Sequence, residues 1–191
     1  MIDPWGINNI SYYTNGLCSG LSNLVELDLF TNYYYRNTSG MNYKIESIFF
    51  KQSEDMKKGM KRNIIRSLEY IRSYWKIVNV LEKGEYDIIH IQWLLLYKFD
   101  KHFLKKIKKR CKKLILTAHN VIPHVNGDKY IKTLREIYGI FDLIVLHGEG
   151  IRSEFVSIFP EFKEKLYIQK IGPLNQSKEF DIAKIDNRSE E

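Results

Sequence analysis

The sequence predicts a Rossmann-like three-layer α/β/α domain with a mostly parallel sheet of six to seven strands. Short β-type runs alternate with longer helical runs along the chain. Several of the β-type runs are apolar at nearly every position, as strands are when helices cover both faces of a parallel sheet. The chain has 191 residues, of which 44% are hydrophobic, so it is long enough for one domain with a full core.

Six apolar runs are the predicted strands, and the longer segments between them are the predicted helices. The strands are Val25–Phe30, Ile45–Phe50, Asp87–Gln92, Leu114–His119, Leu143–His147 and Leu166–Ile171. The helices are Ile10–Leu24, Asp55–Leu81, Phe99–Cys111, Tyr130–Tyr138 and Gly150–Phe159. We interpret 32–42 as a loop. Strands joined by helices predict right-handed crossover connections.

Apolar residues recur at helical spacing in the first two predicted helices. The first places Ile10, Tyr13, Leu17, Leu21 and Leu24 on one face. The second carries a stripe through Met60, Ile64, Leu68, Ile71, Trp75 and Val78, opposed by basic residues. We interpret the second as a helix that covers the sheet and leaves its basic side in solvent.

The net charge of +7 comes from one segment. Residues 98–113 contain nine basic side chains and one acidic side chain, which leaves 21 basic and 22 acidic side chains elsewhere. We therefore expect one basic helix on a domain whose other charges nearly balance.

Cysteine usage and apolar run lengths bear on the compartment. Cys18 and Cys111 form no C-x-x-C pair, which favours a reducing environment. No apolar run approaches the roughly 18 residues of a membrane span, and the first residues do not resemble a secretion signal. We expect a cytoplasmic location.

Polar residues follow the apolar runs, where ligands bind in open α/β sheets. The candidates are Gly6, Ile7, Asn9, Gln92, Trp93, His119, Asn120, His124, His147 and Glu149. A histidine near a strand end is more often structural than functional. His119 stands out because Asn120 is beside it, whereas we expect His90 to be structural and His102 to lie on the surface.

Several classes of site are disfavoured. The chain has no G-x-G-x-x-G and no Walker lysine, which argues against a dinucleotide-dependent dehydrogenase and a P-loop NTPase. His119 and His124 flank a proline turn with no nearby carboxylate or thiolate, so we expect neither a metal nor a resident cofactor.

Four segments together resemble the amino-terminal, acceptor-side half of GT-B glycosyltransferases, in particular family 4-like enzymes. They are Trp5-Gly6-Ile7 with Tyr13-Thr14, Tyr86–Trp93, Leu116–His124 and Asp142–Glu149. The resemblance covers about 1–173, which we expect to be one domain, with 174–191 a polar tail or truncated interdomain linker.

The resemblance implies a hexosyltransferase-type enzyme that moves a sugar from a nucleotide-sugar to a glycan or glycolipid acceptor without a metal. It implies that Gly6, Ile7 and Asn9 lie near the donor phosphates and that His119 contacts the transferred sugar as the catalytic-site residue. It also implies acceptor or sugar contacts from Gln92, Trp93, Asn120, His124, His147 and Glu149.

The sequence departs from the family in two places. Only Met1 and Ile2 precede Asp3, so the first, central strand is clipped. The family's donor-binding second domain does not follow Pro173 within this sequence. We therefore expect activity to require a separate or missing carboxy-terminal domain, and the alternative is a non-catalytic membrane-anchoring or acceptor-binding subunit of a split glycosyltransferase.

The basic helix predicts contact with a polyanion. An amphipathic helix with a dense cationic face suits an anionic membrane surface, with Lys105, Lys106, Lys108, Lys109 and Arg110 facing it. The competing interpretation is a helix with a solvated outer face. The segment lacks the interleaved aromatics of a single-strand binder, which disfavours nucleic acid. We therefore expect a protein of the inner membrane face.

Overall fold

The computed structural model describes residues 1–36, 43–84, 86–123 and 127–170. Its centre is one sheet of seven parallel strands in the order β3-β2-β1-β4-β5-β6-β7. The strands are β1 (Ile2–Asp3), β2 (Asp28–Asn32), β3 (Lys44–Phe49), β4 (Tyr86–Ile91), β5 (Cys111–Thr117), β6 (Leu143–Leu146) and β7 (Leu166–Ile168). The predicted Rossmann-like α/β class and the strand number are confirmed.

Five α-helices connect the strands, and each predicted helix is present with shifted ends. They are α1 (Asn8–Ser22), α2 (Met60–Leu81), α3 (Tyr97–Lys108), α4 (Ile131–Ile140) and α5 (Glu149–Ile158), with 3-10 segments at Gly127–Tyr130 and Pro160–Lys165. Within the described ranges no helix has both the length and the apolar character needed to cross a membrane.

Two hydrophobic cores lie on opposite faces of the sheet. The larger joins the strands to α2, α3, α4 and α5 and contains several fully buried aromatic rings, among them Tyr70, Phe103 and Phe155. The smaller joins α1 to β1 and β2 through Met1, Cys18 and Leu29 and their neighbours. This arrangement of helices on both faces gives the three layers.

The two-residue strand β1 lies inside the sheet. Ile2 pairs with Phe30 of β2 on one side and with Ile91 of β4 on the other. The order of the strands reverses there, since the chain builds outward to β3 on one side and to β7 on the other. Such a reversal opens a crevice at the carboxyl ends of β1 and β4, where open α/β sheets bind ligands.

The inward face of α2 is not the predicted one. Its buried residues are Tyr70, Ser73, Tyr74, Ile77, Val78 and Leu81. Of the predicted stripe, Val78 is buried, whereas Met60 is 81%, Ile64 55%, Leu68 61% and Trp75 45% exposed. Tyr70 and Tyr74 supply much of the buried surface, and the predicted stripe left both of them out.

The basic segment is also divided differently. Helix α3 ends at Lys108, and Lys112 and Lys113 lie on β5, so the predicted helix over 98–113 is wrong at its carboxyl end.

Strand β2 begins at Asp28, three residues later than predicted, and the preceding Val25 is 50% exposed. Leu24 and Val25, in the turn after α1, are apolar, so the sequence pattern places the start of the strand too early.

Candidate functional site

The candidate site lies where β1, β4, β5 and β6 end. Asp3 closes β1, Gln92 and Trp93 follow β4, His119 follows β5, and His147 follows β6. The strands are parallel, so their carboxyl ends meet at one edge of the sheet. Three separate segments therefore bring predicted residues together in what we call the histidine cluster, whose predicted members are Gln92, Trp93, His119 and His147.

The turn after β1 is closely packed. A Cβ atom on Gly6 would clash with the hydroxyl of Thr31 and would lie 3.0 Å from a ring carbon of Tyr35, so glycine is required for steric reasons. Asp3 is fully buried and accepts hydrogen bonds from the backbone N–H of Trp5, at 3.0 Å, and from the hydroxyl of Thr14 in α1. Burial raises the pKa of Asp3 to about 6.

A chain of hydrogen bonds links the ends of β4 and β5. His90 Nε2 lies 2.8 Å from Thr117 Oγ1 and 3.4 Å from the amide nitrogen of Gln92. The amide oxygen of Gln92 lies 3.3 Å from His119 Nε2. His90 thus has the hydrogen-bond partners expected of a structural residue. Gln92, which is 1% exposed, connects His90 to His119.

Hydrogen bonding and burial fix the state of His119. An amide oxygen only accepts, so His119 Nε2 must carry the hydrogen and Nδ1 is left with a lone pair. Burial lowers the pKa of His119 to about 4 and that of His90 to about 3, so both imidazoles are neutral at pH 7. A neutral imidazole both donates and accepts a hydrogen bond.

Aromatic rings surround His119. Its ring stacks on Trp93, with centroids 4.2 Å apart and planes 7° from parallel. The ring of Tyr13, from α1, meets His119 edge-on at 5.5 Å and His147 at 5.2 Å. Burial raises the pKa of Tyr13.

Three buried polar atoms of this group make no hydrogen bond within the described part of the chain, and one of them is the hydroxyl of Tyr13. His147 donates through Nδ1 to the carbonyl of Gln169 at 3.2 Å, which leaves a lone pair on Nε2 without a donor. The indole N–H of Trp93 has no acceptor. An acceptor and a donor close to His119 are therefore able to hydrogen-bond a polar ligand.

Two cavities meet at the loop after β5, and both are lined by His119 and Asn120. One, of about 70 Å³, extends toward Gln92, Trp93 and the ring of Tyr138. The other, of about 300 Å³, extends toward Ile151 and Glu154 of α5. Helix α4 holds this loop in place, because the hydroxyl of Tyr138 donates to the carbonyl of Val121 at 2.6 Å.

The remaining predicted residues are distributed unevenly. Ile7 is the residue before α1 and Asn9 lies in its first turn. Glu149 is exposed at the start of α5, with its carboxylate 3.8 Å from Arg152, and it does not join the cluster. His124 lies outside the described residues. His102 is exposed on α3, as expected.

The basic residues predicted to face a membrane are partly paired. Lys108 forms an ion pair with Asp142, Arg110 with Glu82, and Lys106 lies 4.2 Å from the ring centre of Trp75. For Lys105 and Lys109 the described residues contain no acidic partner. The cationic surface is therefore weaker than the count of lysines suggests.

Sequence reasoning missed Asp3, Tyr13 and Thr117 as members of the cluster. Tyr13 fits the apolar face of its helix, and that pattern indicates a core residue. Asp3 carried a usable signal, because an aspartate that ends a short apolar run just before a glycine turn lies at the edge where ligands bind. Thr117 carried none that distinguishes it from a buried strand residue.

The cluster suits a neutral, hydroxyl-rich ligand. Apart from the buried Asp3 carboxylate, its polar atoms belong to uncharged groups, its aromatic rings offer flat apolar surfaces, and within the described ranges no lysine or arginine contacts it. The described residues also contain no group of three side chains able to hold a metal ion. Neither a protein-family model nor a curated protein matches the chain.

Proposed function

We propose that this chain is the acceptor-side domain of a GT-B, family 4-like glycosyltransferase and transfers a sugar from a nucleotide-sugar donor to a glycan or glycolipid acceptor. The observation that carries the proposal is the neutral His119, stacked on Trp93 and close to the unused hydrogen-bonding atoms of Trp93 and His147. Sugar rings pack on aromatic faces and exchange hydrogen bonds with such groups.

His119 has the role of a hydrogen-bond partner in this proposal. A group with a pKa of about 4 is a weak general base at pH 7, so it contributes by holding a sugar hydroxyl as charge develops in the transition state. Asn120, which lines both cavities beside it, contributes a further donor and acceptor.

The donor phosphates belong, in this proposal, beside the turn at Gly6 and the first turn of α1. A helix amino terminus favours negative charge, and the Gly6 turn, packed against Thr31 and Tyr35, leads directly into that terminus. The cluster itself supplies no cation, so neutralisation of the leaving diphosphate is assigned to a carboxy-terminal domain on the same or another polypeptide.

Saturation-transfer NMR on the full chain tests the sugar site. UDP-glucose, UDP-N-acetylglucosamine and GDP-mannose are offered in turn, and we expect transfer to the sugar-ring protons of at least one of them. Trp93→Ala and His119→Ala should each weaken binding about 10-fold or more, because each removes a ligand-facing ring or hydrogen bond.

The matched control is Trp75→Ala, which removes an indole that is 45% exposed on α2, outside the cluster. It should leave the sugar signals unchanged. Absence of transfer for all three donors both alone and with a second polypeptide, or equal loss in the Trp75 and Trp93 variants, would rule out this site. Donor binding that appears only when a second polypeptide is added would support the divided enzyme.

A second candidate, a membrane-anchoring subunit, is favoured by the outer face of α2. Met60, Ile64, Leu68 and Trp75 are exposed and follow one another at intervals of four, four and seven residues, which places them along one side of the helix. Exposed basic residues of the same helix, Lys61, Arg72 and Lys76, flank the stripe. An apolar stripe bordered by cations suits the interface of an anionic bilayer.

Co-sedimentation with phosphatidylglycerol-containing vesicles tests this candidate. Replacing Met60, Ile64 and Leu68 with Asp should abolish binding, whereas Leu24→Asp with Val25→Asp, at exposed positions after α1, should not. To test the basic residues of α3 and its end, Lys105 and Lys109 are replaced with Glu. Lys108 is left unchanged, because it is paired with Asp142, which also accepts a hydrogen bond from the backbone N–H of Leu114. Binding that survives the α2 changes would remove the candidate.

A further inference from the structure

A third cavity, of about 320 Å³, lies between the turn after β1 and the first half of α2. It is lined by Trp5, Phe50, Tyr70, Leu95 and Leu96 and by the polar side chains of Arg62, Asn63, Arg66 and Ser67 from the first half of α2. Its volume is within the range of small-molecule sites. None of these residues belongs to the sugar site proposed above.

Arg66 is the dominant polar group of this cavity. Its guanidinium carbon lies 3.7 Å from the ring centre of Phe50 and 4.6 Å from that of Trp5, so the cation contacts two aromatic faces. The Arg66 side chain is only 12% exposed. One terminal nitrogen, Nη1, donates to Glu54 at 2.7 Å, and the other, Nη2, is buried with no hydrogen-bond partner within the described residues.

The charged side chains that line the cavity are both cations, Arg62 and Arg66. Glu54 is shared between them, since its second oxygen lies 3.6 Å from Arg62 Nη2 while the first holds Arg66. Arg62 also donates through Nε to the carbonyl of Ser53 at 2.8 Å, and the carboxylate of Glu69 accepts from the backbone N–H of Ser53. The lining therefore offers two guanidinium groups to an anion beside an apolar surface, where charge–charge attraction is stronger than in water.

Backbone strain supports a dedicated role for this arrangement. Phe50 has a φ of 60°, and it is the one residue other than glycine with a positive φ within the described ranges. The left-handed conformation is unfavourable for a residue that has a side chain. In return the Phe50 ring stacks on Tyr70, with planes 6° from parallel, and lies against the Arg66 guanidinium. Strain of this kind is concentrated at ligand sites.

We propose that this cavity is a second ligand site, which binds an oxyanion joined to an apolar or aromatic group. Arg66 and Arg62 hold the phosphate or carboxylate oxygens, and Trp5, Leu95 and Leu96 contact the apolar part. Arg66 can keep its bond to Glu54 through Nη1 while Nη2 takes the ligand oxygen. Because Nη2 is covered, the half-buried indole of Trp5 moves aside when the oxyanion enters. The site does not depend on the glycosyltransferase proposal.

Phenyl phosphate is the probe, followed in ¹H–¹⁵N spectra of the full chain. We expect saturable binding with a shift of the Trp5 indole signal and none at Trp75. Phenol, which lacks the oxyanion, and inorganic phosphate, which lacks the ring, should each bind about 10-fold or more weakly. Benzoate should bind if the site accepts any oxyanion. Dihexanoyl phosphatidate below its micelle concentration distinguishes a lipid headgroup from a soluble ligand: tighter binding than phenyl phosphate assigns a lipid.

Arg66→Met tests the assignment, because methionine keeps much of the length of the side chain and removes the cation. Phenyl phosphate binding should fall about 10-fold or more, and Arg66→Lys, which keeps the charge without the fork, should give an intermediate loss. Arg72→Met, at an exposed position of the same helix, is the control and should bind normally.

Unfolding midpoints of the three variants show whether any loss reflects a damaged fold. Arg66→Lys is the decisive variant if Arg66→Met unfolds. Equal affinity for phenol and phenyl phosphate, wild-type affinity in Arg66→Lys and Arg66→Met, or shifts confined to residues outside the cavity would each overturn the proposal.

Discussion

The imidazole of His119 lies flat on the indole of Trp93, with ring centroids 4.2 Å apart. The two residues follow neighbouring parallel strands, β5 and β4, whose register aligns Leu116 with Ile91. The stack therefore depends on the sheet, and Gln92 strengthens it by accepting a hydrogen bond from the same imidazole. Burial lowers the pKa of His119 to about 4, so the stacked ring is neutral at pH 7 and its protonation can be measured.

His119→Gln should change the pH dependence of stability in a defined direction. The pKa of His119 is lower when folded than its ordinary value near 6.5, so the unfolded chain binds the proton more readily. The wild type should lose up to about 3 kcal/mol of unfolding free energy relative to the glutamine variant as the pH falls from about 6.5 to about 4. Urea unfolding of both proteins across this range measures the difference.

An NMR titration of the His119 ring carbon signal, assigned by its loss in the glutamine variant, provides the independent check. Its midpoint should be near pH 4. If cation–π attraction to Trp93 compensated for burial, the midpoint would return toward the ordinary value and the stability difference would stay constant with pH.

Asp3→Asn should give the opposite pH dependence. The pKa of Asp3 is raised to about 6 by burial, so the native state holds its proton more tightly than the unfolded chain does. The wild type loses stability as the pH rises from about 3.8 to about 6, and asparagine does not titrate. The variant should therefore gain on the wild type over this interval, by up to about 3 kcal/mol, with a constant difference at higher pH.

Urea unfolding of the Asp3 variant at pH 4, 5, 6 and 7 provides the measurement. Asparagine can still accept from the N–H of Trp5 through Oδ1, while its amide nitrogen can donate to the hydroxyl of Thr14. This exchange involves no titrating group, so it shifts stability equally at every pH in the series. A difference that does not vary between pH 4 and pH 6 would contradict a raised pKa for Asp3.

Gly6→Ala should destabilise the fold and Gly16→Ala should not. The new methyl at position 6 would overlap the Thr31 hydroxyl and crowd Tyr35 and Asp3, so we expect a loss of about 1–3 kcal/mol. Gly16 lies inside α1 with no atom within 4 Å of an added Cβ, and alanine there should add up to about 1 kcal/mol. Thermal unfolding of the two variants gives the contrast, and equal midpoints would show that the turn relaxes.

Local sequence patterns predicted much of the fold because the strands β4, β5 and β6 are short, apolar and separated by helices. The same reasoning brought Gln92, Trp93, His119 and His147 together, since residues that follow parallel strands must share one edge. It failed on α2, where Tyr70 and Tyr74 provide the buried face that the pattern assigned to Met60 and Ile64.

Other features required coordinates because they depend on distant pairs of residues. Arg66 has a role only through Phe50 and Trp5, which precede it by 16 and 61 positions, and no spacing rule connects them. The depressed pKa of His119 likewise follows from burial created by Tyr13 and Trp93, which belong to other elements. Tertiary packing decides such properties, and a sequence pattern records only local order.

Tyr138→Phe should loosen the loop that carries His119 and Asn120. The Tyr138 hydroxyl, on the buried side of α4, donates to the Val121 carbonyl at 2.6 Å, and removing it leaves a buried acceptor unpaired, at a cost of about 1–3 kcal/mol. Hydrogen exchange of amides in 118–123 should accelerate more than exchange in β5. Tyr167→Phe, at a position 57% exposed on β7, is the control and should change neither stability nor exchange. Uniform acceleration across the sheet would instead indicate global destabilisation, and unchanged exchange would mean that Val121 is held by packing alone.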